Sequence, residues 1–228
     1  KTFNSKILSV LLTGIITLCS VFLLTLVGSH FFGGIKPLVK RWHKKQRNII
    51  DDVLMIIFGF GACVAINYIT GILSSIFSFL GKPNSAVSYG NEPLTIGLTV
   101  IVFAVLPSVC EEFAFRGVIM GIFGKYGDRF AIIISAFIFG MLHSSFITMI
   151  FAFCSGIVFG LIRKNGGSLV PSMIVHFLNN LISVIMACLN NESGIAFYYI
   201  VIFVSAVMLM FSFFLIYKRN SGFFSLGG

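Results

Sequence analysis

The stretch Phe130–Ile162, FAIIISAFIFGMLHSSFITMIFAFCSGIVFGLI, runs for 33 residues between Arg129 and Arg163 without one Asp, Glu, Lys or Arg. An apolar helix crosses a bilayer in about 20 residues, so the stretch reads either as one overlong span or as two short ones. The basic residues around it decide. With a break near His143-Ser-Ser-Phe146 the chain has seven spans. The side holding Lys36, Lys40, Arg41, Lys44, Lys45 and Arg47 then also holds Lys125, Arg129, Arg163, Lys164, Lys218 and Arg219. That places 12 basic residues on one side against Lys1, Lys6 and Lys82 on the other, whereas a single span splits them 8 to 7. Lys and Arg concentrate in cytoplasmic loops. The asymmetric solution is therefore preferred: seven spans, two of them short, with the N-terminus outside and the C-terminus cytoplasmic.

The rest of the chain agrees. Of 228 residues, 57% are hydrophobic and 10% charged, with a mean hydropathy of +1.03, where a soluble domain carries roughly a quarter charged residues. Lipid is the solvent that tolerates such a surface, so the expected architecture is an all-α polytopic bundle forming a single integral membrane domain over residues 1–228. The other spans read as Ile7–Gly28, Val53–Phe79, Leu94–Phe123, Pro171–Leu189 and Ile195–Tyr217, with a loop at Gly81–Pro93 and a tight turn at Gly124–Arg129. The first is too long for a signal-peptide core and ends without a small-residue cleavage pattern, so it reads as a retained span. The net charge of +9 lies in clusters between apolar runs. It is topology signalling, and nucleic acid is not an expected partner. Cys19, Cys63, Cys110, Cys154 and Cys188 all fall inside apolar runs without a CxxC pair, which argues against a disulfide framework or zinc ribbon.

Ionisable groups within spans are costly and face a bundle interior or a water-filled cavity, which makes them functional candidates. Three groups stand out in the core at 94–190. In Glu111-Glu112-Phe-Ala-Phe-Arg116, Glu112 and Arg116 share a helix face and can pair. Glu111 is turned about 100° away and lacks that cation, so it is the carboxylate available to take a proton from water. Phe139-Gly-Met-Leu-His143 places one imidazole near a helix end. His176-Phe-Leu-Asn-Asn180 places His176 and Asn180 on one face. The plain readings are an ion pair that locks a helix, a satisfied polar histidine, and hydrogen bonding between helices. They leave the second glutamate surplus. At 1.5 Å per residue, Glu111 and His143 both lie roughly 18–20 Å from the basic edge, and His176 and Asn180 roughly 8 and 14 Å. The groups thus meet at overlapping depths, and the site is expected to open toward the cytoplasm.

Glu-Glu-x-x-x-Arg, Phe-x-x-x-His and His-x-x-x-Asn on successive helices, with Gly166-Gly167-Ser168-x-x-Pro171 before the last, resemble the CPBP family. It comprises CAAX prenyl endopeptidases and bacteriocin-processing or immunity proteins, and is also called the Abi family. The resemblance covers Pro107 to Leu181. It implies an intramembrane endopeptidase in which Glu111 and His143 activate water, His176 and Asn180 hold the oxyanion, and Glu112 and Arg116 support the site. Amide hydrolysis needs both a base and donors where charge develops. The implied partners are membrane lipid and a peptide or lipidated protein substrate.

No cofactor is expected, since no His-Glu-x-x-His pair is present. Zinc held by His143, His176 and Glu111 is the alternative. A thiol mechanism at Cys110, turned about 100° from Glu111, ranks below both. The Lys-, Asn-, Ile- and Phe-rich usage is that of a low-GC bacterium, which places the protein in a bacterial plasma membrane and favours a bacteriocin leader or signalling peptide over a CAAX substrate. The alternative function is a non-proteolytic immunity or scaffold protein of the same fold. A transporter would also place carboxylates mid-membrane but predicts internal symmetry, of which the sequence has none.

Overall fold

The computed structural model describes residues 2–31, 34–40, 48–79, 92–189 and 191–219. The described residues form no strand. Their helices are α1 (Thr2–Phe31), the short α2 (Ile35–Lys40), α3 (Ile49–Phe79), α4 (Pro93–Tyr126), α5 (Asp128–Met141), α6 (Phe146–Gly166), α7 (Val170–Cys188) and α8 (Asn191–Arg219). The expected all-α polytopic bundle is the observed one. Arg41, Lys44, Lys45 and Arg47 of the basic loop, Lys1, and Lys82 with the loop residues 81–91 lie outside the described residues.

Six helices, α1, α3, α4, α6, α7 and α8, contain stretches long and apolar enough to cross a membrane. Their outward faces carry large apolar side chains such as Phe22, Ile69, Phe203 and Met210, the surface that lipid accepts. The 14-residue α5 extends only about 21 Å at 1.5 Å per residue. It nonetheless forms a hairpin with α6 that reaches the far end of α3, where the Phe146 and Phe77 rings meet edge-on at 5.9 Å. The break expected near His143 is therefore present, but only one of the two helices it separates is short.

Local chemistry explains the break. Ser145 Oγ accepts from Thr148 N–H at 3.1 Å, and Thr148 Oγ1 accepts from Ser145 N–H at 3.2 Å. This reciprocal cap satisfies amides that would otherwise be orphaned at the start of α6. The other end of α6 stops at Gly167, whose φ of 70° suits glycine and whose N–H reaches Arg163 O at 3.2 Å. Pro93, read from the sequence as the end of a loop, opens α4 instead. A proline in the first helical turn sacrifices only an amide that has no partner there.

The helices alternate between two faces. One gathers the first turn of α3, the ends of α4, α6 and α8, and the start of α5. There Arg219 Nε donates to Asp51 Oδ1 at 2.9 Å and Lys164 Nζ lies 3.5 Å from Asp128 Oδ2. Asp51 thus ties α3 to α8 besides favouring a helix N-terminus. Buried Arg163 donates to Val39 O, fastening α2 over this basic face. The opposite face holds the α5–α6 turn with His143.

Small residues set the closest approaches. A Cβ at Gly160 would lie 2.9 Å from Ile132 Cγ2, and one at Gly156 would lie 3.0 Å from Ala136 Cβ, so both glycines admit α5 against α6. A Cβ at Gly121 would stand 2.7 Å from Leu38 O. Backbone yields less readily than a side-chain tip, so Gly121→Ala is expected to cost about 1–3 kcal/mol, seen as a lower melting temperature in detergent.

Candidate active site

Helix α4 supplies the acidic pair, and it is not a uniform α-helix. Leu106 N–H bonds to Ile101 O, and Met120 N–H to Phe115 O, so two wide π-type segments, Ile101–Val105 and Phe113–Ile119, flank Leu106–Glu112. Pro107 has no N–H to continue the ladder, and the first wide segment ends just before it. The second contains Arg116. Such segments concentrate at functional sites.

The expected pair forms despite the widening. Arg116 Nη1 donates to Glu112 Oε1 at 2.9 Å, and both side chains are essentially sealed from solvent, at 1% and 0% exposure. Arg116 Nη2 donates to Gly156 O at 3.1 Å, and its guanidinium carbon lies 4.5 Å from the Phe139 ring centre and 5.0 Å from that of Phe159. Two hydrogen bonds and the rings of Phe139, Phe159 and, at 5.9 Å, Phe115 thus surround the cation.

From α7, His176 bridges the two glutamates. Its Nδ1 is 3.1 Å from the same Glu112 Oε1, and its Nε2 is 3.8 Å from Glu111 Oε2. The ring stacks on Phe159 at 5.1 Å with 20° between the planes and meets Phe139 at 5.9 Å. A carboxylate paired with arginine can only accept, so Nδ1 is the donor. His176 Nε2 then carries a second N–H only when the ring is charged. Glu111 has no hydrogen bond to a described residue and keeps 20% exposure. The adjacent carboxylates therefore differ as their positions relative to Arg116 predict: one is fastened and sealed, the other is reachable.

His143 occupies the turn after α5, half-buried, with Nδ1 donating to Phe139 O at 3.0 Å. A carbonyl can only accept, so Nε2 of neutral His143 keeps its lone pair. The Phe139 ring contacts both histidines, with its centre 5.1 Å from that of His143 and 5.9 Å from that of His176. His143 lines a polar cavity of about 400 Å³ together with Asn179, Asn180, Asn67, Thr70, Ser74 and Ser183. Glu111, Glu112, Arg116 and His176 thus form one connected group, the Phe139 ring touches both His176 and His143, and His143 lines the cavity with Asn180. Cys110, partly buried and free, borders a separate groove of about 390 Å³ between α1 and α4 whose walls are almost wholly apolar.

The cavity lined by His143 and Asn180 lies toward the face of the His143 turn. Among the described residues no group of three or more His, Cys, Asp or Glu side chains is placed to hold a metal ion.

Several cavity residues escaped the sequence reading. Asn67, Thr70, Gly71 and Ser74 sit at i, i+3, i+4 and i+7, which lines one helix face. The same spacing recurs at His176, Asn179, Asn180 and Ser183. Two polar stripes facing each other were the available signal, and Asn67 in an otherwise apolar span was its clearest member.

No curated protein and no solved structure matches this chain. Residues 93–182, the segment that carries Glu111, Glu112, Arg116, His143, His176 and Asn180, match the Type II CAAX prenyl endopeptidase Rce1-like family, the endopeptidase group that the motifs resemble.

Proposed function

We propose that the protein is an intramembrane endopeptidase that hydrolyses a peptide bond in a membrane-associated peptide or lipidated protein, with Glu111 as the base. The observation that carries this reading is the asymmetry of the acidic pair: Glu112 is sealed against Arg116, whereas Glu111 stays partly accessible and, among the described residues, accepts no hydrogen bond. Glu111 takes a proton from the attacking water, and the His143 Nε2 lone pair is a second acceptor for it. As the carbonyl oxygen gains charge, Asn180 donates from its amide and His176 from Nε2–H of the imidazolium. Glu112 accepts from Nδ1–H and thereby stabilises that charged ring. Collapse of the tetrahedral species expels the amine, which receives the proton held on Glu111.

The basic residues on one face support a cytoplasmic C-terminus, and composition favours a bacterial peptide such as a bacteriocin leader or signalling precursor as substrate. The direct test is a cleavage assay in proteoliposomes on peptides encoded beside the gene, comparing wild type with Glu111→Ala. Product from wild type alone is the expected result. Equal product from both preparations would overturn it, as would no cleavage together with stable peptide binding, the behaviour of an immunity protein or scaffold. Cleavage is further expected to survive prolonged exposure to a strong chelator. Loss of activity restored specifically by zinc would reassign the histidines as metal ligands.

A further inference from the structure

Phe159 stands on α6 three residues after Gly156, a spacing that puts both on one helix face. The Gly156 carbonyl accepts from Arg116 Nη2 at 3.1 Å. The Phe159 ring, 1% exposed, has its centre 5.0 Å from the guanidinium carbon of the same arginine. On α7, the His176 ring is stacked on Phe159 with the centres 5.1 Å apart and the planes 20° from parallel. Glu112 Oε1 reaches the same two partners, at 2.9 Å from Arg116 Nη1 and 3.1 Å from His176 Nδ1. Arg116 and His176 are thus joined twice, once through a carboxylate oxygen and once through an aromatic ring.

A filler of the bundle core needs only apolar volume, which leucine or methionine also supplies. A flat ring adds two things. The first is orientation. Both imidazole nitrogens direct their bonds outward in the ring plane, so a neighbour lying against the face fixes that plane and consumes neither N–H. An N–H aimed at a ring would instead spend a donor on it. Phe139 meets His176 at 78° with the centres 5.9 Å apart, so the two phenyl rings limit rotation of the imidazole from two directions. With the plane held, Nδ1 keeps to Glu112 and Nε2 keeps to the side of Glu111, 3.8 Å from its Oε2. The second is charge. The face of an aromatic ring is its negative pole, and it attracts a cation more than a neutral ring.

We infer that Phe159 is a positioning residue: its ring holds the imidazole plane of His176 and stabilises the imidazolium whose Nε2–H donates to the carbonyl oxygen of the scissile bond. The role in that step rests on the peptidase reading; the stacking does not.

The experiment uses the full-length chain in proteoliposomes and a peptide that the wild type cleaves. Phe159→Leu is expected to lower kcat by about 2–30-fold, the factor that corresponds to one cation–π contact, with KM unchanged. Phenylalanine carrying one, two or three fluorines at position 159 keeps the ring close to its size while weakening its face in steps, and kcat is expected to fall in the same steps. The series remains decisive if Phe159→Leu fails to fold. Phe115 provides the control, because its ring lies 5.9 Å from the Arg116 guanidinium carbon and among the described residues contacts no histidine. Fluorination there is expected to leave kcat within about twofold of wild type, less than one such contact is worth. A flat kcat along the series at position 159, a fall confined to KM, or an equal fall along the series at position 115 overturns the role. Solid-state NMR of histidine-labelled protein reads the stacking without turnover. The carbon-bound ring protons of His176, assigned by their loss in His176→Gln, are expected to be shifted upfield by the Phe159 ring. Unshifted protons overturn the stacking itself. No product from wild type with the shift present refutes the peptidase reading, and the role in that reaction falls with it. Product from wild type with a flat series refutes the role of Phe159 alone.

Discussion

Glu111→Gln is expected to insert normally, to melt at the wild-type temperature and to lose cleavage by about 10²–10⁴-fold, the range that a positioned general base contributes. The stability half of this expectation comes from what Glu111 does not do. It accepts no hydrogen bond from a described residue, and its nearest cationic neighbour, His176 Nε2, stands at 3.8 Å. A glutamine keeps the volume and polarity of the side chain and removes only its capacity to hold a proton. Melting in detergent and peptide cleavage, read on the same preparation, check the two halves together. Near-wild-type cleavage by this variant would reject Glu111 as the base whatever its stability.

Glu112→Gln should behave in the opposite order, with loss of fold first and activity following from it. Its carboxylate is 0% exposed, and a single oxygen, Oε1, takes both Arg116 Nη1 at 2.9 Å and His176 Nδ1 at 3.1 Å. Neutralising it leaves the buried guanidinium with Gly156 O and the surrounding rings but without a counter-charge. Breaking a buried pair from one side costs about 3–5 kcal/mol, enough to lower yield as well as melting temperature. Replacing both Glu112 and Arg116 by neutral residues should recover part of that loss, because the orphaned charge is gone. A double variant less stable than Glu112→Gln alone would mean that the contacts of Arg116 to α6 matter more than the pair. If Glu112→Gln is stable and inactive while Glu111→Gln cleaves, the roles of the two glutamates are exchanged.

Both results depend on a distinction that one turn of helix makes visible. Four residues separate Glu112 from Arg116, so a shared face followed from the sequence, and with it the isolation of Glu111. The π-type turn over Phe113–Ile119 was not legible, because no residue there forbids an ordinary α-helical ladder. Pro107 does forbid one, since it has no N–H to donate, and the wide segment Ile101–Val105 ends just before it. The partners of Arg116 across the bundle, Gly156, Phe139 and Phe159, come from helices more than 20 residues away in sequence. Nothing in the local pattern of α4 names them.

By itself the sequence determined the solvent, the helical class, the break at His143-Ser-Ser-Phe146 and the set of polar side chains within the core. Each rests on a local rule: the length of an apolar run, the side on which basic residues gather, or the spacing that puts two residues on one face. Only the tertiary structure decided how those side chains group and which residues line the cavity beside them. His176 could have met either glutamate, and the packing of α7 against α4 places it on both. Asn67 acquires meaning only once α3 stands opposite α7, since a lone carboxamide in an apolar helix fits packing between helices equally well. The fastening of α2 is likewise a contact between distant segments, Arg163 against Val39. Helix periodicity constrains neighbours within a turn or two; which helix faces which is set by close packing across the whole bundle.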